Sequence, residues 1–490
     1  MRLAVNAVYS IAGAAIPMVV SIVTVPIYLH VIGGERYGAL LIAWLLLGYF
    51  GQADFGIARA ITHRISALGR QSRQQNAETL WSGIAGVMVF SLLSALLVYG
   101  ASGYFFSGPF KVGESLRAEM MASRVALALC IPVIAITSVF AGALMGLERF
   151  KLVSAGNLVS SIAMQVLPLL VAYYVGSNLT GLIFAALFGR AIGLLIAAGG
   201  AWLTMLRGQA ISVSLAEFRH LFTFGAWILL TMIVGPMMTM ADRFVIGGTL
   251  GATAVAVYTV PFQIASRSAM FPYAVSQVLF PRFASDSGER SQERCRSSTV
   301  LIAQVYAPMV IGLSCLAAPL LHLWIGTKLD PRSILIGQIV ITGFWANAIA
   351  GVPYAYIQAR GNPRFTALLH VAELPFYTAA LYLLGMNYGL AGVAAAFTLR
   401  CAVDCVLLMG AAKLWTREMA ARLAGPVALV LLSIVAGQMF QGWVGAFLAA
   451  FVLGGAGGVL MLVQMPDEVR SQLDKTALAR FLPRWTAKAA

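Results

Sequence analysis

The chain has 490 residues, of which 60% are hydrophobic and only 10% are charged. Soluble domains are about 45–50% apolar and about 25% charged, so this composition excludes a water-soluble fold. The formal net charge is +15 at pH 7. It does not indicate a nucleic-acid partner, because the basic residues are concentrated in alternate loops between apolar runs.

Apolar runs follow one another almost to the C-terminus, and each is long enough to cross a hydrocarbon layer of about 30 Å. The sequence therefore predicts an all-α polytopic membrane protein with about fourteen transmembrane helices. The predicted spans are 8–32, 39–58, 80–106, 122–146, 152–175, 181–206, 221–247, 253–280, 298–322, 334–358, 366–385, 389–412, 425–441 and 444–463.

The basic loop residues predict the orientation of these spans. Only six fall on one side of the predicted membrane: Arg36, Lys111, Arg117, Arg124, Lys328 and Arg332. The much larger set on the other side marks the cytoplasm by the positive-inside rule, which places both termini there. The first apolar run is longer than a signal-peptide core and contains Pro17 and Pro26, so we expect a retained helix.

Three short matches predict an internal repeat with a period of roughly 210 to 215 residues. Val-Ile-Gly-Gly ends at residues 34 and 248, residues 146–150 resemble 361–365, and residues 186–190 resemble 396–400. Chance matches in an apolar chain are the alternative. A repeat of six spans predicts two parallel six-helix lobes, 1–206 and 207–412, followed by two additional helices in 413–463. The basic tail 464–490 is either a helix on the inner leaflet or a solvated segment.

Charged residues inside predicted spans are the candidates for function, because each costs about 2.5–3.5 kcal/mol at the bilayer centre and must face protein or water. They are Asp54, Arg190, Asp242, Arg243, Arg267, Glu373, Arg400 and Asp404, with Arg59 and Arg64 just inside the second span.

Each candidate also has a purely structural interpretation. Arg400 and Asp404 are four residues apart on one helical face and can pair with each other. Asp242 and Arg243 point about 100° apart on a helix and can reach interfacial water instead. Arg267 has no acidic residue within four positions on its helix, which favours a water-lined face for it.

The remaining intramembrane charges are equally open. Arg190 lies in a Gly- and Ala-rich helix, where it serves either as a packing anchor or as a cation lining a cavity. Glu373 either titrates or pairs. Arg59 and Arg64 give the cytoplasmic mouth positive charge suited to an anionic headgroup, or they are plain positive-inside anchors.

Motifs for catalysis, metal binding and nucleotide binding are absent from the sequence. It has no Walker A run, no HExxH and no GxSxG, and its five cysteines show no CxxC spacing. We therefore predict a transporter without cofactors or metals rather than an enzyme, driven by an ion gradient or by the gradient of its own substrate.

Two segments resemble the oligosaccharide flippase (polysaccharide transporter, Wzx-type) family of the multidrug/oligosaccharidyl-lipid/polysaccharide exporter superfamily. The first contains Thr24-Val-Pro26, Gly33-Gly-Glu-Arg-Tyr-Gly38 and Asp54-Phe-Gly56. The second runs from Tyr258-Thr-Val-Pro-Phe-Gln-Ile-Ala-Ser-Arg267 to Leu279-Phe-Pro281. The resemblance is firmest over residues 1–70 and 240–285 and extends over the twelve-span body.

This resemblance implies two helical lobes around a cavity, alternating access, and movement of undecaprenyl-pyrophosphate-linked oligosaccharide repeat units across a bacterial inner membrane. It implies a lipid-linked oligosaccharide as substrate, contact with membrane lipids, and a polysaccharide polymerase with chain-length machinery as partners. By analogy the candidate headgroup contacts are Arg59, Arg64, Arg190, Arg267 and Arg400, and the coupling or pairing candidates are Asp54, Asp242, Arg243, Glu373 and Asp404.

Three other functions compete with this one. A cation-coupled multidrug exporter of the same superfamily commonly carries an acidic residue in its first span, and residues 8–32 contain none. A lipid II flippase has the same number of spans but fits the Gly33 to Gly38 motif less well. A membrane-bound O-antigen polymerase, from a different class, depends on a large outside loop that this chain lacks.

Overall fold

All regular secondary structure in the described part of the chain is helical. The computed structural model describes residues 2–50, 56–69, 72–219, 221, 238, 240–286 and 288–464, and no strand occurs among them. The predicted all-α class is therefore confirmed. Asp54, most of the predicted span 221–247 and the tail beyond residue 464 lie outside the described residues.

The chain forms two compact units, Met1–Ala256 and Val257–Ala490. The predicted lobes 1–206 and 207–412 and the added helices in 413–463 stay predictions. The helices up to residue 201 are α1 Arg2–Val31, α2 Gly33–Phe50, α3 Ile57–Leu68, α4 Arg73–Ser107, α5 Glu114–Ala122, α6 Arg124–Gly146, α7 Phe150–Tyr174 and α8 Leu179–Ala201. A π-helical turn, Trp202–Leu206, follows α8, and residues 215–219 and 240–249 are also helical.

The remaining helices lie wholly or mostly in the second unit. They are α9 Ala252–Ser268, α10 Met270–Ser285, α11 Gly288–Cys315, α12 Ala317–Ile325, α13 Arg332–Ala359, α14 Pro363–Ala411, α15 Arg417–Met439 and α16 Trp443–Val463. A short 3-10 turn, Gly326–Lys328, follows α12. Helices α10, α11 and α14 each pack against α13, and α11 also packs against α15 and α16.

The polytopic prediction is confirmed by the length and composition of these helices. Nine helices among the described residues are long and apolar enough to cross a membrane: Arg73–Ser107, Glu114–Gly146, Phe150–Tyr174, Leu179–Leu206, Gly288–Cys315, Arg332–Ala359, Pro363–Ala411, Arg417–Met439 and Trp443–Val463. Ile16–Val31 is a shorter apolar helix. The total of fourteen spans stays a prediction.

Helix α14 is a hairpin of two helical segments, matching the predicted spans 366–385 and 389–412. The backbone reverses at Gly389, whose φ of 59° and ψ of −142° are not helical. A Cβ atom at Gly392 would lie 2.0 Å from the carbonyl oxygen of Leu384. Glycine is required at residue 389 for this backbone conformation and at residue 392 for this close approach. The hairpin therefore places residues near 370 opposite residues near 404.

The predicted span 253–280 is two helices rather than one. Helix α9 ends at Ser268 and α10 begins at Met270. Pro272 explains the break, because its ring clashes with the carbonyl group four residues earlier, which belongs to Ser268. A proline in the first turn of the following helix is tolerated, since that turn has unpaired N–H groups in any case.

Glycines bring the helices of the first unit close together. A Cβ atom at Gly142 of α6 would lie 2.4 Å from the carbonyl oxygen of Ala58 in α3. Across the same contact, Thr62 donates a hydrogen bond of 3.0 Å to the carbonyl oxygen of Gly142. At the interface of α7 and α8, a Cβ atom at Gly189 would lie 2.6 Å from the backbone nitrogen of Met164. Small residues at such contacts are the usual means of helix association in membranes.

We expect Gly189→Val to destabilise the chain, because the added atoms meet the backbone of α7, which cannot rotate away. Overpacking of this kind costs about 1–3 kcal/mol. The measurement is the thermal unfolding midpoint of the purified chain in detergent. Gly199→Val is the matched control on the same helix, since nothing lies within 4 Å of a Cβ atom there. Equal midpoints for the two variants would contradict the close packing of α7 and α8.

Candidate functional site

The first unit contains a cavity of about 320 Å³ bounded by α3, α6, α7 and α8. Small residues on the lining helices, such as Ala141 and Gly142, leave room for it. Its lining residues are Ala58, Arg59, Thr62, Ile134, Thr137, Ser138, Ala141, Gly142, Met145, Val153, Asn157, Ser160 and Arg190. None of these is acidic.

Arg59 and Arg190 give this cavity its positive charge. Arg59 lies in the first turn of α3, and Arg190 follows Gly189 in α8. The Nε atom of Arg190 is buried and has no hydrogen-bond partner. Among the described residues, no carboxylate forms an ion pair with either arginine. The structure thus brings together two candidates that are far apart in sequence.

The hydroxyl groups of the cavity already donate their protons to backbone carbonyl oxygens. Thr62, Thr137 and Ser138 donate to carbonyl oxygens four residues earlier, at 2.9, 2.6 and 3.2 Å, and Ser160 donates to Gly189 at 3.3 Å. Hydrogen-bond donors for a bound ligand therefore come from the guanidinium groups of Arg59 and Arg190 and from the amide of Asn157. This set of donors suits an anion, and guanidinium groups suit phosphate in particular.

Arg64 lies on α3 as well but is held elsewhere. Its Nε and Nη2 atoms bind the two carboxylate oxygens of Glu217 at 2.7 and 3.1 Å. Thr79 donates a further hydrogen bond of 2.8 Å to Glu217. This bidentate pair matches the charge of Arg64 within the protein, and Arg64 is not among the residues that line the cavity.

Asp242 and Arg243 are buried side by side in the helical segment 240–249. Arg243 Nη1 lies 2.8 Å from Asp242 Oδ1, and the two side chains are 6% and 0% exposed. This burial favours their pairing over the alternative, contact with interfacial water, that their divergent directions on a helix suggest. Adjacent residues thus pair here despite that divergence.

The other two arginine candidates belong to the second unit. Arg267 lies in the last turn of α9 and is exposed. Arg400 lies in the second segment of α14, where its Nε atom is 3.6 Å from Glu373 Oε2. Asp54 lies outside the described residues. Of the five arginine candidates, three therefore belong to the first unit and two to the second.

Helix α14 carries a cluster of charged groups that faces inward across its hairpin. Glu373 lies opposite Arg400, and the Nε2 atom of His370 is 3.5 Å from Asp404 Oδ1. Ligand atoms of His370, Glu373 and Asp404 all lie within 4.8 Å of one another. We refer to His370, Glu373, Arg400 and Asp404 as the α14 cluster. The sequence analysis missed His370, although its spacing of three residues from Glu373 puts both on one helical face.

The geometry of the α14 cluster could hold a metal ion, but its charge argues against one. His370, Glu373 and Asp404 offer three ligand atoms close together. The guanidinium group of Arg400, however, already contacts Glu373, and a fixed positive charge at that distance repels a second cation. The α14 cluster is therefore a poor site for a divalent metal.

A second cavity, of about 470 Å³, lies between α10 and α13 and is free of charged residues. It is lined by Ala269, Pro272, Tyr273, Ser276, Phe280, Asn347, Ala348, Gly351, Tyr354, Ala355 and Gln358. Aromatic rings, amides and the hydroxyl groups of Tyr273, Ser276 and Tyr354 thus surround it, in contrast to the two guanidinium groups of the first cavity. We refer to it as the neutral cavity.

The neutral cavity and the α14 cluster share a wall. The ring of Tyr354 lines the cavity and stacks on the ring of His370, with centroids 5.6 Å apart and planes 6° apart. His370 in turn contacts Asp404. A continuous line of contacts therefore runs from the cavity to the buried carboxylates.

Comparison with known proteins places this architecture. Residues 3–286 match the family described as "Polysaccharide biosynthesis protein". The chain is 27% identical to a Shigella flexneri protein named "Putative O-antigen transporter" over 413 residues, which cover 83% of this chain and 97% of that protein. It is also 26% identical to the teichuronic acid biosynthesis protein TuaB of Bacillus subtilis over 185 residues, or 36% of each chain.

Solved structures share the fold. The lipid II flippase MurJ in an inward closed conformation has a TM-score of 0.71 at 15% identity, covering 94% of this chain and all of that one (100%). An inward-facing multidrug resistance MATE transporter of the MOP superfamily has a TM-score of 0.62 at 16% identity, covering 84% and 98%. At these identities the likeness concerns the fold alone.

The family match and the Shigella flexneri relative agree with the prediction of a multi-pass transporter rather than an enzyme. They also agree with the two sequence segments that resemble polysaccharide transporters. The chain belongs to the polysaccharide biosynthesis protein family.

Proposed function

We propose that this protein moves undecaprenyl-pyrophosphate-linked oligosaccharide repeat units across the bacterial inner membrane, by alternating access, for surface polysaccharide synthesis. The observation that carries the proposal is the cavity of the first unit, where Arg59 and Arg190 meet without an acidic residue in the lining. A pyrophosphate group presents several anionic oxygens, and two guanidinium groups can bind them through charge-assisted hydrogen bonds.

The same observation separates this substrate from a cationic drug. A cavity with two arginines repels a cation by Coulomb interaction, and the low dielectric of the membrane strengthens that repulsion. Family membership supports a role in polysaccharide synthesis, and the Shigella flexneri relative is named for O-antigen transport. A polymerase and chain-length machinery are the expected partners downstream, because the translocated units have to be joined.

Deleting the gene tests the proposal as a whole. We expect undecaprenyl-linked repeat units to accumulate on the cytoplasmic leaflet and surface polysaccharide to disappear, with both restored by a plasmid copy. The measurements are glycolipid analysis of spheroplasts and staining of surface polysaccharide. Normal surface polysaccharide in the deletion strain would overturn the proposed function, and accumulation of lipid II instead would favour the peptidoglycan precursor.

Arg59→Ala and Arg190→Ala test the headgroup contact. A hydrogen bond to a charged group contributes about 1.5–3 kcal/mol, so each substitution should weaken substrate binding roughly tenfold or more. Lysine variants should retain part of the activity, since they keep the charge but lose the bidentate geometry. The readout is translocation of the lipid-linked oligosaccharide by the purified chain in proteoliposomes.

Arg149→Ala is the matched control for these two variants. Arg149 is exposed at the junction of α6 and α7, two helices that border the cavity, but it does not line the cavity. The Arg149→Ala substitution removes one positive charge from the same unit, as the other two variants do, and should leave translocation unchanged. An equal loss in all three variants would show that only overall charge matters, and no loss at Arg59 or Arg190 would remove them from the substrate path.

Arg267→Ala tests the remaining exposed candidate. Arg267 lies at the end of α9 with its side chain exposed, and we expect it to contact the anionic substrate during translocation. The variant should slow translocation severalfold at an unchanged protein level. Wild-type translocation by this variant would assign Arg267 to interaction with lipid headgroups instead.

A further inference from the structure

The α14 cluster contains more negative than positive charge if its members take their ordinary ionisation states. Glu373 and Asp404 contribute two negative charges, Arg400 contributes one positive charge, and neutral His370 contributes none. Glu373 and Asp404 are only 8% and 3% exposed. An uncompensated charge buried in a membrane protein is costly, so the α14 cluster needs one further positive charge.

Three carboxylate oxygens of the α14 cluster indicate where this positive charge binds. Both carboxylate oxygens of Glu373 and the Oδ1 atom of Asp404 are buried without a hydrogen-bond partner. Ionised carboxylates only accept hydrogen bonds, so two of them facing each other have no donor between them. One proton supplies that donor, and it also brings the net charge of the α14 cluster to zero.

His370 provides the path by which such a proton reaches the carboxylates. Its side chain is 20% exposed, whereas that of Asp404, 3.5 Å away, is 4% exposed. An imidazole exchanges protons near neutral pH and can pass one from water to a neighbouring carboxylate. Among the described residues, the other titratable groups around the α14 cluster are neutral in their ordinary state: Tyr354 of α13 and Tyr377, Cys401 and Cys405 of α14.

We propose that His370, Glu373, Asp404 and Arg400 form a proton-binding site whose occupancy is coupled to the ligand state of the neutral cavity through the stacked rings of Tyr354 and His370. A ligand that displaces Tyr354 moves the ring against which His370 packs, and so changes the contact of His370 with Asp404. By linkage, loss or gain of the proton changes the affinity of the cavity to the same extent. The coupling rests on the proposed function, whereas the proton site does not.

The lining of the neutral cavity indicates which part of the substrate acts on this contact. Tyr273 and Tyr354 offer ring faces, and Asn347 and Gln358 offer amides that both donate and accept hydrogen bonds. Uncharged sugar rings match this combination of flat apolar surface and neutral hydrogen-bonding groups. The proposed occupant is therefore the saccharide portion of the lipid-linked substrate, not its phosphates.

Infrared spectroscopy tests the proton site without any substrate. The purified full chain is reconstituted in vesicles of phosphatidylethanolamine and phosphatidylglycerol and washed with buffers of stepwise rising pH. We expect the C=O stretching band of a protonated carboxyl group that disappears on alkalinisation and is lost in Glu373→Gln and Asp404→Asn. His370→Gln should slow proton exchange or shift its midpoint. A titrating band that is unchanged in all three variants would overturn the proton site.

Asp330→Asn is the control for this measurement. Hydrogen bonds from Arg332 lower the pKa of Asp330, so this carboxylate stays ionised at mildly acidic pH and its loss should not alter the band. Asp330 precedes the first residue of α13, Arg332, whereas Tyr354 lies near the other end of that helix. The usual rise per residue gives about 33 Å between Arg332 and Tyr354. Correct folding of each variant is checked by a single symmetric peak in size-exclusion chromatography.

Translocation under a pH gradient tests the coupling. The probe is the lipid-linked oligosaccharide extracted from the producing strain, in proteoliposomes with or without an imposed pH gradient. A strictly coupled proton changes the transport equilibrium by at most about tenfold per pH unit. We expect the wild type and Tyr354→Phe, which keeps the stacked ring, to respond to the gradient. Tyr354→Ala and Glu373→Gln should translocate without responding.

The possible outcomes separate the two proposals. A wild-type response in Tyr354→Ala, or an equal response to a sodium gradient at uniform pH, would overturn the coupling to protons. A titrating carboxyl band in a chain that translocates no lipid-linked oligosaccharide would support the proton site but contradict the proposed function, and with it the coupling. Translocation that ignores the pH gradient in the wild type would support the proposed function and overturn the coupling.

Discussion

The low dielectric of the bilayer governs this structure, because every charge inside a span has to meet protein, water or a ligand. Three arrangements of intramembrane charge occur among the described residues. Asp242 and Arg243 neutralise each other at 2.8 Å. The α14 cluster leaves two carboxylates against one guanidinium group. Arg59 and Arg190 face a cavity without an acidic residue. The first arrangement is neutral by itself, whereas we propose that the second binds a proton and the third an anion.

Close helix packing places the charges of the first unit where they can act. Gly142 lets α3 approach α6, and Gly189 lets α8 approach α7. Arg59 and Arg190 belong to the two helices that these glycines bring in. The cavity thus forms where close backbone contacts hold the helices together and where small lining residues leave space beside those contacts. Arg64, on the same helix as Arg59, is withheld from the cavity because Glu217 and Thr79 bind it on another face of α3.

Much of the fold follows from the sequence, because span length and loop charge are local properties of the chain. Apolar length predicted the polytopic class and both segments of α14, and the resemblance of residues 1–70 and 240–285 predicted the family. The break at residue 269 could have been predicted as well, since Pro272 excludes a helical carbonyl contact at Ser268. The joining of Arg59 and Arg190 in one cavity could not, because it depends on the packing of four helices.

The pairings within the candidate residues show the same limit. A spacing of four made Arg400 and Asp404 natural partners, yet Arg400 lies against Glu373 and Asp404 against His370. The hairpin at Gly389 decides this, because it brings together residues that lie far apart in the sequence. Spacing on one helix predicts only which residues share a face, and not which face of another segment they meet. The role of Tyr354, which connects the α14 cluster to the neutral cavity, could not be predicted from the sequence, because it depends on the packing of α13 against α14.

The turn at Gly389 also bears on how the chain is made. His370, Glu373, Arg400 and Asp404 all lie on the two arms of one hairpin, whose arms touch near Gly385 and Gly392. Arms joined by a single glycine can enter the bilayer together, as one helical hairpin. Arg400 can then pair with Glu373, and His370 with Asp404, within the hairpin itself, without any contact from the helices that follow. A bulky residue at Gly392 would separate the arms, so its first effect would be on membrane insertion and only afterwards on transport.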